Sequence, residues 1–456
     1  MRRNMSGRGL IFRRLCILLR GDTMESIWKA TVRMPSFPEQ EGDLDTDVLI
    51  VGGGMAGLLC AYRLSQAGVD CTLVEADRIC GSVTANTTAK LSSQHGLIYG
   101  KLLKKFGRET ARKYWEMNEN AITQFRTLAK EIPCDFQTKD HALYSAVAAD
   151  ALEKEAAALD SLGIPFDCPE GLPLPFPIRS AIRFQNQAQF HPLKFAAGIA
   201  AGLNIYEKTP VRELIGNTAV TDGGLITASK IIIATHFPIL NKHGGYFLKL
   251  YQQRSYVLAV EKTMDVEGMY LAAEEGGFSF RNQGEVLLIG QGSHRTGKKS
   301  RGWEAAEELV RSRFPQARVT NRWANQDCMT LDGLPYIGQY SKATPDLYVA
   351  TGFNKWGMTG TMAAAMILTD LIQGRENPYT ALVSPQRSVL HPQLLCNGAE
   401  AVVNLLTPTR PRCPHLGCAL KWNPRERSWD CPCHGSRFDA DGTLLNDPAT
   451  GDLPEK

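Results

Sequence analysis

Between Thr46 and Ala76 the chain reads TDVLIVGGGMAGLLCAYRLSQAGVDCTLVEA. A β-rich apolar run, a glycine turn, apolar positions at helical spacing and a second β-rich run ending at Glu75 predict a strand, a helix and a parallel strand. Over residues 108–130, Tyr114, Met117, Ala121, Phe125 and Leu128 recur at steps of three and four, which predicts an amphipathic helix. Another helix is expected from Pro192, because proline suits a first helical turn. Short strand-like runs at 204–213, 230–235, 253–261 and 276–289, separated by turn residues, predict an antiparallel sheet beside the first one. Near the end, a strand (Leu347 to Thr351), a glycine-punctuated loop (Gly352 to Gly357) and a helix (Met358 to Ile372) return to the first domain. The segment Gly374 to Asn404 loses periodicity and holds Pro378, Pro385 and Pro392, so a linker is expected there.

With 456 residues the chain has room for roughly three domains. Charged residues are 21% of it, and 51 basic against 47 acidic side chains leave +4, spread rather than massed, which excludes compositional disorder and argues against nucleic acid as a partner. Nowhere does an apolar run approach the ~20 residues of a membrane span. The first 23 residues hold six arginines and one acid, but their apolar stretch, Leu15 to Leu19, is too short for a signal peptide. A flexible extension over 1–45, with Met24 as the working start, is the expectation. Eight of the 12 cysteines are scattered singly, as a reducing, cytoplasmic compartment allows, whereas Cys413, Cys418, Cys431 and Cys433 fall within 21 residues.

Gly52 to Gly57 fits G-x-G-x-x-G in the context that gives the motif its meaning. Gly52 allows the tight turn, Gly54 lets backbone approach a pyrophosphate, Gly57 lets helix and strand pack closely, and the helix N-terminus faces the phosphate charge. Glu75 can accept ribose hydroxyls. These residues by themselves do not separate FAD from NAD. At the other end, Cys413-Pro414-His415 and Cys431-Pro432-Cys433-His434 are separated by fifteen residues. Two loops that each supply one thiolate and one imidazole suit an asymmetric 2Fe-2S centre, with a structural zinc as the competing reading.

The runs NTTAKLSSQHGLIY (Asn86 to Tyr99), QAQFHPLKF (Gln187 to Phe195), IIIATHFP (Ile231 to Pro238) and ATGFNKWGMTGT (Ala350 to Thr361) resemble the D-amino-acid-oxidase or glycine-oxidase-like FAD oxidoreductases. More narrowly they resemble the bacterial subgroup fused to a C-terminal Rieske domain, a likeness that covers about Thr46 to Arg387. It implies an α/β, Rossmann-like FAD domain (about 46–100, 190–240 and 345–375) and an inserted antiparallel-sheet substrate domain (about 130–190 and 245–340). A small all-β Rieske domain with its linker would follow at 388–456. FAD would be held by Gly52, Gly54, Gly57, Glu75 and Thr88, and by Gly352, Gly357, Met358 and Thr359 in and after the loop beneath the flavin. For catalysis the candidates are Lys355, Trp356, Tyr256 and His95, with Arg254, Tyr336 and His294 as further pocket-lining candidates and no defined arginine clamp for a carboxylate.

CPHLGC and CPCHGS resemble the respiratory Rieske boxes. The likeness implies Cys413 and Cys431 on the inner iron, His415 and His434 on the outer iron, and a Cys418–Cys433 disulfide bridging the two loops. Two departures stand out. Only Val389 to Arg412 precede the first box, so the domain is either trimmed or borrows a sheet edge from the flavin domain. Phe438 stands where high-potential relatives carry tyrosine.

The resemblance implies oxidation of a small amine, amino acid or hydroxy compound at FAD, with electrons passing through the Rieske cluster to a redox protein or other acceptor. The alternatives are an electron-transfer protein linking protein partners without a small substrate, and a redox sensor. No histidine pair with a carboxylate can be assigned to a mononuclear iron at helical spacing, which argues against a Rieske oxygenase.

Overall fold

The computed structural model describes residues 23–240, 243–409 and 411–454. In the first of its three sheets, Leu44–Val51 lies between the parallel strands Cys71–Val74 and Leu225–Ile233. Thr344–Thr351 continues the parallel order beyond Leu225–Ile233, and Tyr336–Ser341 closes that edge antiparallel. Val48, Leu49 and Ile50 are buried from both faces, which explains their unbroken apolar run. Helices Met55–Gln66 and Gly357–Ile372 pack on one face and on each other, their buried glycines and alanines permitting close approach. The parallel strands all end at one edge, at Gly52, Glu75, Ala234 and Gly352, where an α/β sheet opens its binding crevice.

The second sheet runs Arg318–Thr330, Leu250–Glu261, Val286–Arg295, Ser279–Gln283, Met269–Ala272, Gln137–Ser145, Ser180–Gln189 and Lys90–Leu91. It departs from expectation twice: the runs at 204–213 and 230–235 contribute Ile205–Tyr206 and Leu225–Ile233 to the first sheet instead, where they pair parallel with Cys71–Val74 and Leu44–Val51, and Met269–Ala272 runs parallel to Gln137–Ser145. Between these two strands the chain returns through the first sheet, and a long crossover permits the parallel sense that a hairpin forbids. The predicted helix at 108–130 is part of Tyr99–Leu128, which buries Tyr114, Met117, Ala121 and Phe125 and turns at Gly107. Pro192 opens Pro192–Ala200 behind His191, whose ring accepts from the Lys194 amide.

Two expectations give way. Residues 1–22 of the expected flexible extension lie outside the described residues, but from Thr23 the chain is packed down. Trp28 is fully buried, donates its indole N–H to the Thr87 carbonyl (2.7 Å) and lies beneath the Arg281 guanidinium. Burying such a side chain stabilises by about 2–3 kcal/mol, which holds the segment.

The expected linker contains a helix, Pro392–Leu406. Its pattern is inverted, and for that reason escapes a search for apolar periodicity. Asn397 and Asn404 face inward, while Leu395, Val402, Val403 and Leu406 face solvent. Asn397 donates to the Leu248 carbonyl and accepts from Arg295, so the helix docks through hydrogen bonds.

The third sheet is antiparallel: Lys421–Asn423, Ser428–Asp430, Arg437–Phe438 and Leu444–Asn446. None of these strands pairs with either large sheet, so the C-terminal unit is trimmed and borrows no edge. No helix among the described residues is long and apolar enough to cross a membrane.

Candidate functional site

A cavity of about 1190 Å³ opens along the carboxyl edge of the first sheet and reaches between the two large sheets. That exceeds the roughly 300–1,000 Å³ of ordinary small-molecule pockets. Gly52, Gly54, Glu75, Thr88, Gly357 and Met358 line it. Gly52 has φ +110°, and a Cβ on Gly57 would stand 1.9 Å from the Gly52 carbonyl oxygen, so the turn and the helix require both glycines. Glu75 accepts from the amides of Gly53 (2.7 Å) and Asp77 (3.0 Å), and burial raises its carboxyl above the usual range.

At the C-terminal unit the imidazoles of His415 and His434 meet edge to face, centroids 4.9 Å apart. Cys413 and Cys431 are buried in one small cluster with Cys418, Cys433 and Phe438. A disulfide joins Cys418 to Cys433, and the Cys431 sulfur lies within 4.8 Å of both bridged sulfurs. This unit is clamped to the large sheets. Arg254 grips Glu426 through Nε (2.6 Å) and a terminal nitrogen, and Arg437 joins Glu426 (3.0 Å) to Asp430 (2.8 Å). Arg295 donates to the carbonyls of Pro432 (2.8 Å) and Cys433 (2.9 Å), and Gln326 donates to that of Gly435 (2.8 Å). Arg437, Asn446, Asp447 and Thr450 thereby form one wall of the cavity.

The FAD dependent oxidoreductase family matches residues 47–371, and the Rieske [2Fe-2S] domain family matches 399–455. The chain belongs to the FAD dependent oxidoreductases. A protein of Bacillus subtilis (strain 168), named as a Rieske 2Fe-2S iron-sulfur protein, YhfW, is 34% identical over 94% of this chain and 97% of its own length. Gamma-glutamylputrescine oxidoreductase of Escherichia coli (strain K12) is 24% identical over 74% of this chain and 86% of its own. Among solved structures, glycine oxidase from Geobacillus kaustophilus superposes with a TM-score of 0.65 at 20% identity, over 76% of this chain and 100% of that one, a likeness of fold.

This FAD oxidoreductase therefore carries FAD and a Rieske 2Fe-2S cluster, and its residues fit both. A Cβ on Gly54 would meet only the Thr84 hydroxyl, at 3.7 Å, so the space in front of the helix N-terminus is open to a pyrophosphate. The Nδ1 of His434 is buried with no hydrogen-bond partner, an arrangement that is costly unless the nitrogen serves as a ligand. Burial, with His415 beside it, lowers the His434 imidazole to about 3, so it is neutral and able to bind metal at neutral pH.

The remaining predicted residues divide. Lys355, Trp356, Tyr256 and His95 line the cavity, but His95 has both nitrogens engaged, with the Tyr114 hydroxyl (2.6 Å) and the Ser92 carbonyl (2.6 Å). It stacks on Trp356 at 4.4 Å, and burial lowers its pKa to about 3, so it holds Trp356 rather than moving protons. Arg254 lines the cavity but is committed to Glu426. Gly352, with φ +71°, and Thr359 do not line the cavity: Gly352 packs against Thr330, and the Thr359 hydroxyl donates to the Ser92 carbonyl (3.4 Å). Tyr336 and His294 also fall outside its walls. Tyr336 lies beneath the Arg387 guanidinium, and His294 stacks on Tyr256.

Sequence reasoning missed Lys90 and the group around Lys355. Lys90, inside a quoted family run, lines the cavity, donates to the Tyr270 carbonyl (2.9 Å) and is lowered to about 7 by burial and the nearby Arg281. Lys355 meets the Ser293 hydroxyl and faces Asp327, whose carboxyl burial raises. Only the β-strand register brings these distant positions together.

The surroundings of the cluster residues carry a prediction. The Ser436 hydroxyl accepts from the Ala449 amide (3.0 Å) and, after Cys431, acts to lower the Cys413 thiol, while Phe438, fully buried among the cysteines, offers no donor. Hydrogen bonds to cluster sulfurs raise the reduction potential. Phe438→Tyr should therefore raise the cluster midpoint and Ser436→Ala lower it, read by potentiometric titration with EPR. A tyrosine variant with an intact signal and an unchanged or lower midpoint would refute the assignment.

Proposed function

We propose that this FAD oxidoreductase oxidises a small amine, amino acid or hydroxy compound, and that the electrons leave singly through the Rieske centre to a redox protein or other acceptor. The observation that carries the reading is the shared wall: the cavity at the dinucleotide turn is closed on one side by Arg437, Asn446, Asp447 and Thr450 of the C-terminal unit. In this reading residues 46–387 form the flavin body and 388–456 the Rieske unit. Gly52, Gly54, Gly57, Glu75, Thr88 and the Gly352–Thr359 segment hold FAD, some by contact and some by shaping the turns. Cys413 and Cys431 hold one iron, and His415 and His434 the other. Bound FAD supplies hydride acceptance, and the cluster supplies storage of single electrons.

The chain's own residues then bind and orient the substrate. Arg254 and Arg437 are tied to Glu426, and Lys90 donates to the Tyr270 carbonyl and is lowered to about 7, so in this reading Lys355 holds an anionic end. The loop that presents it contains two successive left-handed non-glycine residues, Asn354 (φ +51°) and Lys355 (φ +73°). Such strain persists only where the surroundings over-determine it. Here the Asn354 side chain accepts from the Thr330 amide (2.8 Å) and donates to the Gly352 carbonyl (2.7 Å). Asp327, beside Lys355 in the same wall, suits the amino end.

Anaerobic screening of amines, amino acids and hydroxy acids should find compounds that bleach the flavin, with the cluster EPR signal following. In His434→Ala protein bleaching should persist while steady delivery to an acceptor collapses. Reduction by a reduced protein donor, with bleaching by none of these compounds, would overturn the reading in favour of a link between protein partners.

A further inference from the structure

The four residues Ala234 to Phe237 touch both redox sites. At one end the Ala234 carbonyl packs so tightly on the dinucleotide turn that a Cβ on Gly52 would come within 2.7 Å of its oxygen. At the other end the fully buried Phe237 ring stands edge-on to both cluster histidines, with centroids 6.2 Å from His415 and 6.1 Å from His434. Between them His236 adopts φ +64°, a conformation that costs a non-glycine side chain about 1–3 kcal/mol. The left-handed turn sends successive side chains to opposite sides. His236 lines the cavity, and Phe237 faces the histidines.

The C-terminal unit holds this turn in place. Asp447 accepts from the Phe237 amide (3.1 Å) and lies 3.5 Å from the His236 imidazole, while its own carbonyl accepts from Gln252 (3.1 Å). From the flavin body the Thr351 hydroxyl donates to the His236 carbonyl. The strained residue is thus gripped by both units. A merely structural loop would relax with glycine or asparagine at this position.

We infer that Thr235–His236–Phe237 is the electron bridge between the two centres, with Phe237 as the residue that couples the flavin side to the outer-iron histidines. This deepens the proposed passage of electrons from flavin to cluster and rests on it. Electron tunnelling weakens steeply with distance and with each gap that must be crossed through space. A continuous peptide ending in an aromatic ring that stands against both histidines reduces the crossing at the cluster end to one short ring-to-imidazole contact. The many clamps on the C-terminal unit have the same consequence: the cluster stays docked, and transfer does not wait for a domain to swing.

The test uses the full-length protein loaded with both centres and needs no substrate. One-electron photoreduction with deazariboflavin and EDTA is followed by absorbance at the flavin and cluster bands while the centres equilibrate. Phe237→Ala should slow the equilibration most, Phe237→Leu less, and Phe237→Tyr should keep the parent rate. Cluster EPR and both midpoint potentials should stay unchanged in all three, a pattern that a purely structural role would not produce. If the alanine variant fails to load its cluster, the leucine variant decides. Equilibration at the parent rate in a fully loaded alanine or leucine variant would overturn the bridge. Parent protein in which the two centres never equilibrate would instead overturn the proposed electron passage itself.

Discussion

Gly54→Val should yield folded protein without flavin. Gly54 has ordinary backbone angles (φ −74°, ψ −176°), and a Cβ there meets nothing in the protein closer than 3.7 Å, so the chain itself tolerates a side chain. The space that a branched side chain fills is the cradle at the helix N-terminus, where a pyrophosphate must approach the backbone. Overfilling a close contact costs about 1–3 kcal/mol, or roughly a fivefold to more than hundredfold loss of affinity. The visible spectrum of purified protein reports flavin content, and thermal unfolding of variant and flavin-stripped parent should coincide. Gly57→Val is the contrast. Its Cβ would stand 1.9 Å from the Gly52 oxygen, so it should destabilise the fold with or without flavin. Gly54→Val protein with a full yellow spectrum would remove the basis for placing the pyrophosphate here.

Glu426→Gln should loosen the C-terminal unit. Arg254 and Glu426 are each about 7% exposed, and Arg437 still less. Removing one partner of a buried ion pair leaves a charge without compensation, which costs about 3–5 kcal/mol. Arg437 keeps Asp430, so the loss falls on Arg254 and should lie near the lower end, ~3 kcal/mol. A lower unfolding temperature, seen first in the cluster absorbance, is the expected result; an unchanged transition would show that the network does not hold the unit.

The same carboxylate sets a pH dependence. Burial alone would raise Glu426, but Arg254 and Arg437 carry it down to about 2. A carboxyl whose pKa is depressed in the folded state contributes stability that is fully present above its unfolded value, near 4.5, and is lost as pH falls toward about 2. The difference in stability between parent and Glu426→Gln should therefore be constant at neutral pH and shrink through that acid window.

The centres themselves were legible in the residues because each depends on local geometry. A glycine turn between a strand and a helix needs its glycines at fixed offsets, and the two cluster boxes need thiolates and imidazoles at fixed spacing. Apolar periodicity likewise marked the helix at Tyr114 to Leu128 and the parallel strands, whose burial is on both faces. It failed at Pro392–Leu406, where the buried face is asparagine and the apolar face is exposed. It failed again at Trp28, an isolated aromatic that only a finished core can claim.

What the amino-acid sequence by itself determined is the dinucleotide turn, the two Cys/His boxes and, through the family runs, the kind of chemistry they imply, since a motif is short-range and its residues are neighbours in the chain. How the two sites meet was decided by tertiary structure. Arg254, a pocket-lining candidate in the sequence, does line the cavity but is held there by Glu426, 172 positions away. His236 and Phe237 lie just past the expected strand run at 230–235, and only the C-terminal unit places Asp447 against them. Such contacts join positions far apart in sequence whose spacing obeys no period, so their partners become definite only when the sheets have paired and the Rieske unit has docked.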